Sequence, residues 1–273
     1  MTDLIINQKT KQNINDFLYN PAHAILFCGQ NGLGVDSIAH DTAKKLAGNQ
    51  IFLITPDEKK KTILVDVIRN NVIKIVSNHQ NKPFAVVIND AETMTISAQN
   101  SLLKVLEEPV TNVYFILSTH SPEKLLPTIL SRIQTIEVLP VSLSETEKIL
   151  DKFKITVDKK QKITFLSAKK PAEMTKLLND EMYYRDKASL VETAKNFISG
   201  NTYERLKIIS NIKHRSDAID FVKILADLIL FLVKNKEVPN LSEKLAIISD
   251  VSDNLRQNGN VKAQLTYLAV NYE

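Results

Sequence analysis

A short apolar run, Ala24 to Cys28, leads into Gly29-Gln30-Asn31-Gly32-Leu33-Gly34-Val35-Asp36. Glycines at this spacing, between a strand and a helix, let backbone N–H groups and a helix N-terminus cradle a phosphate. Phosphoryl chemistry needs more: a lysine ammonium against the β- and γ-phosphates, and a Ser or Thr hydroxyl on magnesium. Val35 and Asp36 stand at those two positions. A carboxylate at Asp36 would repel phosphate oxygens a few Å away by on the order of one to several kcal/mol, depending on the local dielectric. Two readings of the glycines stand: a phosphate cradle stripped of its chemistry, and a tight strand-to-helix turn with no ligand.

Other groups able to do chemistry are Asn89 and Asp90, which end an apolar run, and the Ser131-Arg132 pair. Phe84 to Ile88, five apolar residues after Pro83, have the pattern of a strand buried on both faces of a parallel sheet. From Thr95 the apolar positions Ala98, Leu102, Leu103, Val105 and Leu106 recur at helical spacing, and Pro109 disfavours helix at Glu108. Val113 to Leu117 is a second strand, so the stretch is a βαβ unit with a right-handed crossover. Ser121 and Pro122 mark a helix start. Ile51 to Ile54 forms another strand, Pro56-Asp57 a turn, and Thr62 to Ser77 a helix with Ile63, Val67, Ile68 and Val72 inward. Ile136 and Val138 alternate as in a last, half-buried strand. The fold class is α/β, a parallel sheet with helices.

At these residues a family resemblance becomes specific. The run DAETMTISAQNSLLKVLEEP, then STHSPEKLLPTILSR, resembles the ATPase core of bacterial sliding-clamp loaders, and in particular the delta-prime subunits of DNA polymerase III. The resemblance implies an AAA+ P-loop domain over residues 1–140, a small helical lid over 141–182 and an all-α collar over 183–273. Asn89 takes the place of the family's first Walker B acid, leaving Asp90, and Ile133 replaces a usual cysteine. Thr119 resembles the sensor residue that ends the second strand; without nucleotide it caps the following turn instead. In the lid, Lys169-Lys170-Pro171-Ala172-Glu173-Met174 matches a sensor motif loosely, with Glu173 where an arginine would contact nucleotide. Lysine, hydroxyl and acid are all replaced, so ATP hydrolysis is not expected. The family's Ser-Arg-Cys arginine acts in trans, so Arg132, preceded by Ser131, is expected to reach ATP bound by a neighbouring subunit. Expected partners are the gamma/tau ATPase and delta-type subunits, the sliding clamp and primer-template DNA. A working ATPase of the same fold and a stand-alone DNA-binding module are the competing readings.

Composition agrees with a globular protein: 273 residues, 44% hydrophobic, 24% charged, formal net charge +4. So small a positive charge does not argue for nucleic acid by itself. The lone Cys28 excludes a disulfide within one chain and a four-cysteine zinc site. No metal or cofactor of its own is expected, and no histidine pairs at ligand spacing, His79 included. Lys59, Lys60 and Lys61 read as a solvated face. The N-terminus has no apolar core like that of a signal peptide, and Ala218 to Val233 carries charges and is shorter than the roughly 20 residues of a membrane span; a cytoplasmic location is expected. Ser144-Glu145-Thr146-Glu147 reads as a capping box opening the lid. Beyond Met182, helices are expected near 188–199, 203–214, 217–234, 242–255 and 261–271, broken by Gly200-Asn201, Pro239-Asn240 and Asn258-Gly259.

Overall fold

A computed structural model describes residues 4–73, 82–233 and 240–272. The chain divides into two compact units, Met1–Asn179 and Asp180–Glu273.

The first unit is built on five parallel strands, β1 (Ala24–Cys28), β2 (Ile51–Ile54), β3 (Phe84–Ile88), β4 (Val113–Thr119) and β5 (Gln134–Glu137), in the order β2-β3-β4-β1-β5. Register pairs Leu26 with Leu117 and Thr135, and Val86 with Phe115 and Phe52. Side chains alternate across a strand, so each continuous apolar run feeds two cores. Leu26, Val86, Ile88, Phe115 and Leu117 face one, and Ile25, Phe27, Ala85, Val87 and Ile116 the other. Helices cover both faces, which is why these strands read as unbroken apolar runs. Helices α1 (Gln8–Tyr19) and α2 (Val35–Ala47) contribute to the second core; in α2 the buried positions Val35, Ile38, Ala39, Thr42 and Ala43 follow one helical face.

Helix α3 (Ile96–Glu107) covers the first core with Ala98, Leu102 and Leu106. Thr95 Oγ1 caps it by accepting from Ala98 N at 3.2 Å, and Glu108 leaves helical geometry before Pro109. Its buried Gln99 is fully used. Nε2 donates to the Met94 and Lys124 carbonyls at 3.2 Å, and Oε1 accepts from Leu126 N at 2.8 Å. These bonds bind residues 124–126 to α3 and so fix where the next segment starts.

Three local expectations need correction. Ile63 is extended and bridges Met94, with Ile63 N donating to Thr93 O and Thr95 N to Ile63 O, so winding starts only at Val65 and is π-type over Ile68–Ile73. The rest of that expected helix, with Ser77 and His79, lies outside the described residues. Pro122 opens only a single turn, Pro122–Lys124, because Pro127 holds Leu126 extended before α4 (Pro127–Leu130) restarts. The first helix after β5 starts two residues earlier than the expected capping box at Ser144: Ser142 and Glu145 reciprocate around the start of α5 (Leu143–Leu150). Helices α6 (Val157–Ser167) and α7 (Pro171–Asn179) follow, joined through left-handed Ala168 and Lys169.

The second unit is all helical: α8 (Glu181–Ser199), α9 (Thr202–Ser210), α10 (Arg215–Val233), α11 (Leu241–Arg256) and α12 (Val261–Asn271). Its centre is aromatic. Phe197 meets Phe221 and Tyr272 edge-on at 5.5 and 5.4 Å, and the Arg205 guanidinium sits 4.9 Å over the Tyr272 ring. Fully burying such rings stabilises by about 1.5–3 kcal/mol each. Burial also pushes the Tyr272 hydroxyl up to about 12, with Arg205 opposing.

Among the described residues no helix is long and apolar enough to cross a membrane.

Candidate functional site

In a parallel sheet every strand delivers its carboxyl end to the same side, and ligands bind in the crevice there. That side gathers the Gly29–Gly34 turn after β1, Asn89 and Asp90 after β3, and Ser118, Thr119 and His120 at the end of β4. Sequence-expected residues therefore do meet, through topology alone.

The turn itself needs glycine. Gly32 and Gly34 adopt φ of +88° and +80°, a region closed to most side chains, and Gly34 caps α2. Gly29 leaves little room for a Cβ, which would lie 3.0 Å from the Val138 carbonyl oxygen. At the position where phosphate chemistry needs an ammonium, Val35 is buried, 1% exposed, among Leu33, Ile38 and Val138.

The remaining polar groups bind one another. Ser118 Oγ lies 2.5 Å from Asp36 Oδ1 and 3.3 Å from Asn89 Oδ1; its single proton serves the shorter contact. Thr119 Oγ1 donates to Glu92 Oε2 at 2.7 Å, while Glu92 Oε1 accepts from His120 N at 3.0 Å. Thr119 Oγ1 also accepts from Ser121 N at 3.1 Å, at the start of the next turn. His120 Nδ1 is 2.7 Å from the Gly29 carbonyl, which can only accept, so Nδ1 carries the proton. Asp90 sits in left-handed backbone, φ 49°, with its carbonyl accepting from Thr93 N and Oγ1. Burial above all, then the neighbouring Asp36 and Glu92 carboxylates, push the Asp90 carboxyl above its ordinary range, with His120 opposing.

Asp36, Asp90 and His120 bring ligand atoms within 4.8 Å of one another. That grouping was invisible in the sequence, where His120 has no partner at ligand spacing. It is what a divalent cation would meet if one entered. A shallow cleft of about 390 Å³ opens beside it along α2, lined by His40, Lys44, Leu53 and Asn89.

Helix α7 meets the turn. Gly32 O accepts from Ala172 N at 3.0 Å and from Glu173 N at 3.3 Å, so the first amides of α7 meet the loop directly. A Cβ on Gly32 would lie 3.2 Å from Lys170 Cδ. Glu173, the residue that the resemblance aligns with a nucleotide-contacting arginine, thus reaches the loop through its amide.

Arg132 is at the other end of the sheet, because it precedes the amino end of β5. Its NH1 donates to Thr128 O at 3.1 Å and Ser131 Oγ at 3.2 Å, and its NH2 pairs with Glu107 Oε1 at 3.0 Å. Ser131 Oγ donates in turn to Thr128 O at 3.1 Å. Sequence reasoning missed Glu107, Glu92 and Ser118; each lies inside the recognised stretch, but only the tertiary structure pairs it.

Comparison with known proteins bears on this geometry. Residues 49–142 match the family described as DNA polymerase III, delta subunit. A DNA polymerase III subunit delta' of Pseudomonas aeruginosa is 34% identical over 135 residues, 41% of each chain, and that of Yersinia pestis 40% identical over 96 residues, 34% of this chain and 28% of that one. A DNA polymerase III subunit gamma of Buchnera aphidicola is 28% identical over 211 residues, 67% of this chain and 56% of that one. The chain spans about two fifths or less of the length of the delta' relatives. Among solved structures, a gamma subunit-related protein of Thermotoga maritima superposes with a TM-score of 0.62 at 20% identity, covering 97% of this chain and 99% of that one. The Thermotoga maritima RuvB branch migration motor gives 0.52 at 15% identity, covering 98% and 87%. The likeness is one of fold, an α/β unit on a parallel sheet followed by helices.

Proposed function

We propose that this chain, similar across the centre of its first unit to the delta-prime subunits of DNA polymerase III, is a non-hydrolysing subunit of a sliding-clamp loader that lends Arg132 to a neighbour's ATP. The observation that carries the reading is the contrast around Val35: the glycine turn keeps its shape, while the side chain that should neutralise phosphate is buried in the apolar core. Asp36 and Asn89 add a charge where a hydroxyl belongs and remove one where an acid belongs. The α7 amides on Gly32 fit the same reading, since they commit a loop carbonyl to protein groups.

Arg132 supplies the other half. An arginine at a subunit edge stabilises the charge that develops on a phosphoryl group held next door, an effect worth about 10³ to 10⁵ in rate at that site. Its planar fork suits phosphate oxygens in a way a lysine cannot copy. On this reading the partners are gamma/tau-type and delta-type subunits, the sliding clamp and primer-template DNA, and the chain needs no cofactor or metal of its own.

The test has two arms. The isolated chain should show no ATP turnover; measurable hydrolysis that disappears with Asp90→Asn would instead make it an ATPase in its own right. Reconstituted with gamma- and delta-type subunits, the Arg132→Ala chain should assemble normally and lower clamp- and DNA-stimulated hydrolysis. Tight, salt-dependent DNA binding by the chain alone would favour the stand-alone binding module.

A further inference from the structure

Glu107 is the last residue of α3, where the helix dipole is negative and an acid is locally unfavourable. Glu108 follows it, so like charges adjoin. Nothing in the helix itself calls for a carboxylate here. What compensates Glu107 is the Arg132 guanidinium, 25 positions later in the chain (132 − 107) and 3.0 Å away. From the opposite side, Thr128 O and Ser131 Oγ hold NH1. Both are fixed by the short α4 helix, whose start is bound to α3 through Gln99. Acid and arginine therefore sit on one rigid frame.

From this arrangement we infer that Glu107 is a latch on Arg132, a positioning residue that holds the guanidinium in place and competes for it until a neighbour's triphosphate takes over. The inference rests on the reading of Arg132 as a residue supplied in trans. Arg132 and Glu107 are 39% and 51% exposed, so their ion pair is screened and weak enough to exchange. A triphosphate carries more charge than one carboxylate and accepts the guanidinium fork at two oxygens, so it wins the exchange when it is in reach. An empty neighbour leaves the latch closed. Glu107 would thereby lower hydrolysis in an assembly whose subunits still stand apart, and matter little once clamp and DNA have closed it.

The experiment uses the reconstituted assembly with wild-type chain, Glu107→Gln, Glu107→Lys, Arg132→Ala and the Glu107→Gln/Arg132→Ala pair, each assayed with and without clamp and primed DNA. Glu107→Gln keeps the shape and removes the charge at an exposed helix end, and thermal unfolding of each chain checks that the fold survives. Expected is a rise in unstimulated turnover of about two- to fivefold with Glu107→Gln, the size of a weak surface ion pair. Glu107→Lys should raise it further. Stimulated turnover should hardly change, and raising the salt should shrink the difference. In the Arg132→Ala background Glu107→Gln should do nothing, which a merely structural role would not produce. If Arg132→Ala lowers turnover but Glu107→Gln leaves it at or below wild type, the latch is wrong and the arginine stands. If Arg132→Ala has no effect, the reading beneath the latch has failed as well.

Discussion

The two ends of one parallel sheet carry contrasting arrangements of charge. At the carboxyl ends of β1, β3 and β4 the backbone turn is intact, yet Val35 is buried, Asp36 accepts from Ser118 and the Gly32 carbonyl is taken by α7. Before the amino end of β5, Arg132 stays exposed with Glu107 and the Thr128 carbonyl around it. At the first end several polar groups bind one another, while the second keeps a cation at the surface. If the chain is non-hydrolysing as proposed, its scaffold has kept its shape without the reaction, because glycine φ values and sheet topology set the shape whereas side chains set the reaction.

The comparison breaks most visibly at Arg132. In the assembled loader Arg132→Ala should remove most of the rate at one neighbouring site, by a factor approaching 10³ or more there, and Arg132→Lys should rescue little of it. Steady-state ATPase measured site by site, with the other sites inactivated, decides this; full activity of the lysine variant would mean that a point charge suffices.

At the opposite end, Val35→Lys restores the missing ammonium in sequence but forces it into an apolar site. A loss of about 1–3 kcal/mol in urea unfolding is expected, with no gain of ATP turnover. Gly32→Ala should cost about 1 kcal/mol or more, because φ is +88° and Lys170 must shift to admit the methyl group. A variant as stable as wild type would show that lid and turn are not held together as described.

The smallest effect concerns Asp90. Its folded-state carboxyl titrates above the ordinary range, so its protonated form is favoured by folding and ionisation costs stability as pH rises through the raised value. Asp90→Asn should therefore stabilise the chain at neutral pH, and the gain should fade in acid, where wild-type Asp90 is itself protonated. Urea unfolding at the two pH values reads the sign; a gain that grew in acid would contradict it. The second unit offers an internal reference: Tyr272 should ionise only near about 12 by ultraviolet absorbance, since its ring is buried.

Much of the scaffold was legible because its signals are local. Ala24–Cys28, Ile51–Ile54 and Phe84–Ile88 read as apolar runs bounded by polar residues, and α12 began at the residue its pattern marked. What was misread depended on distant partners or on competing local signals. Ile63 has helical spacing but is drawn into extended geometry by bonds to Thr93 and Thr95. Ser142 and Ser144 each precede a glutamate by three residues, and the structure uses the first. In the site, Val35, Asp36 and Asn89 announced their chemistry by type alone. The Ser118–Asp36 bond, the Glu92 bridge and the Glu107–Arg132 pair had no sequence signature, since each joins separate elements.

With the Ala172 and Glu173 amides committed to the Gly32 carbonyl, lid and turn travel as one piece or stay where they are. If the chain sits in an assembly as proposed, it would keep the same posture through each round of its neighbours' nucleotide. Amide exchange at Ala172 and Glu173 would then be slow and indifferent to added ATP, a fixed marker against which its neighbours' motion can be timed.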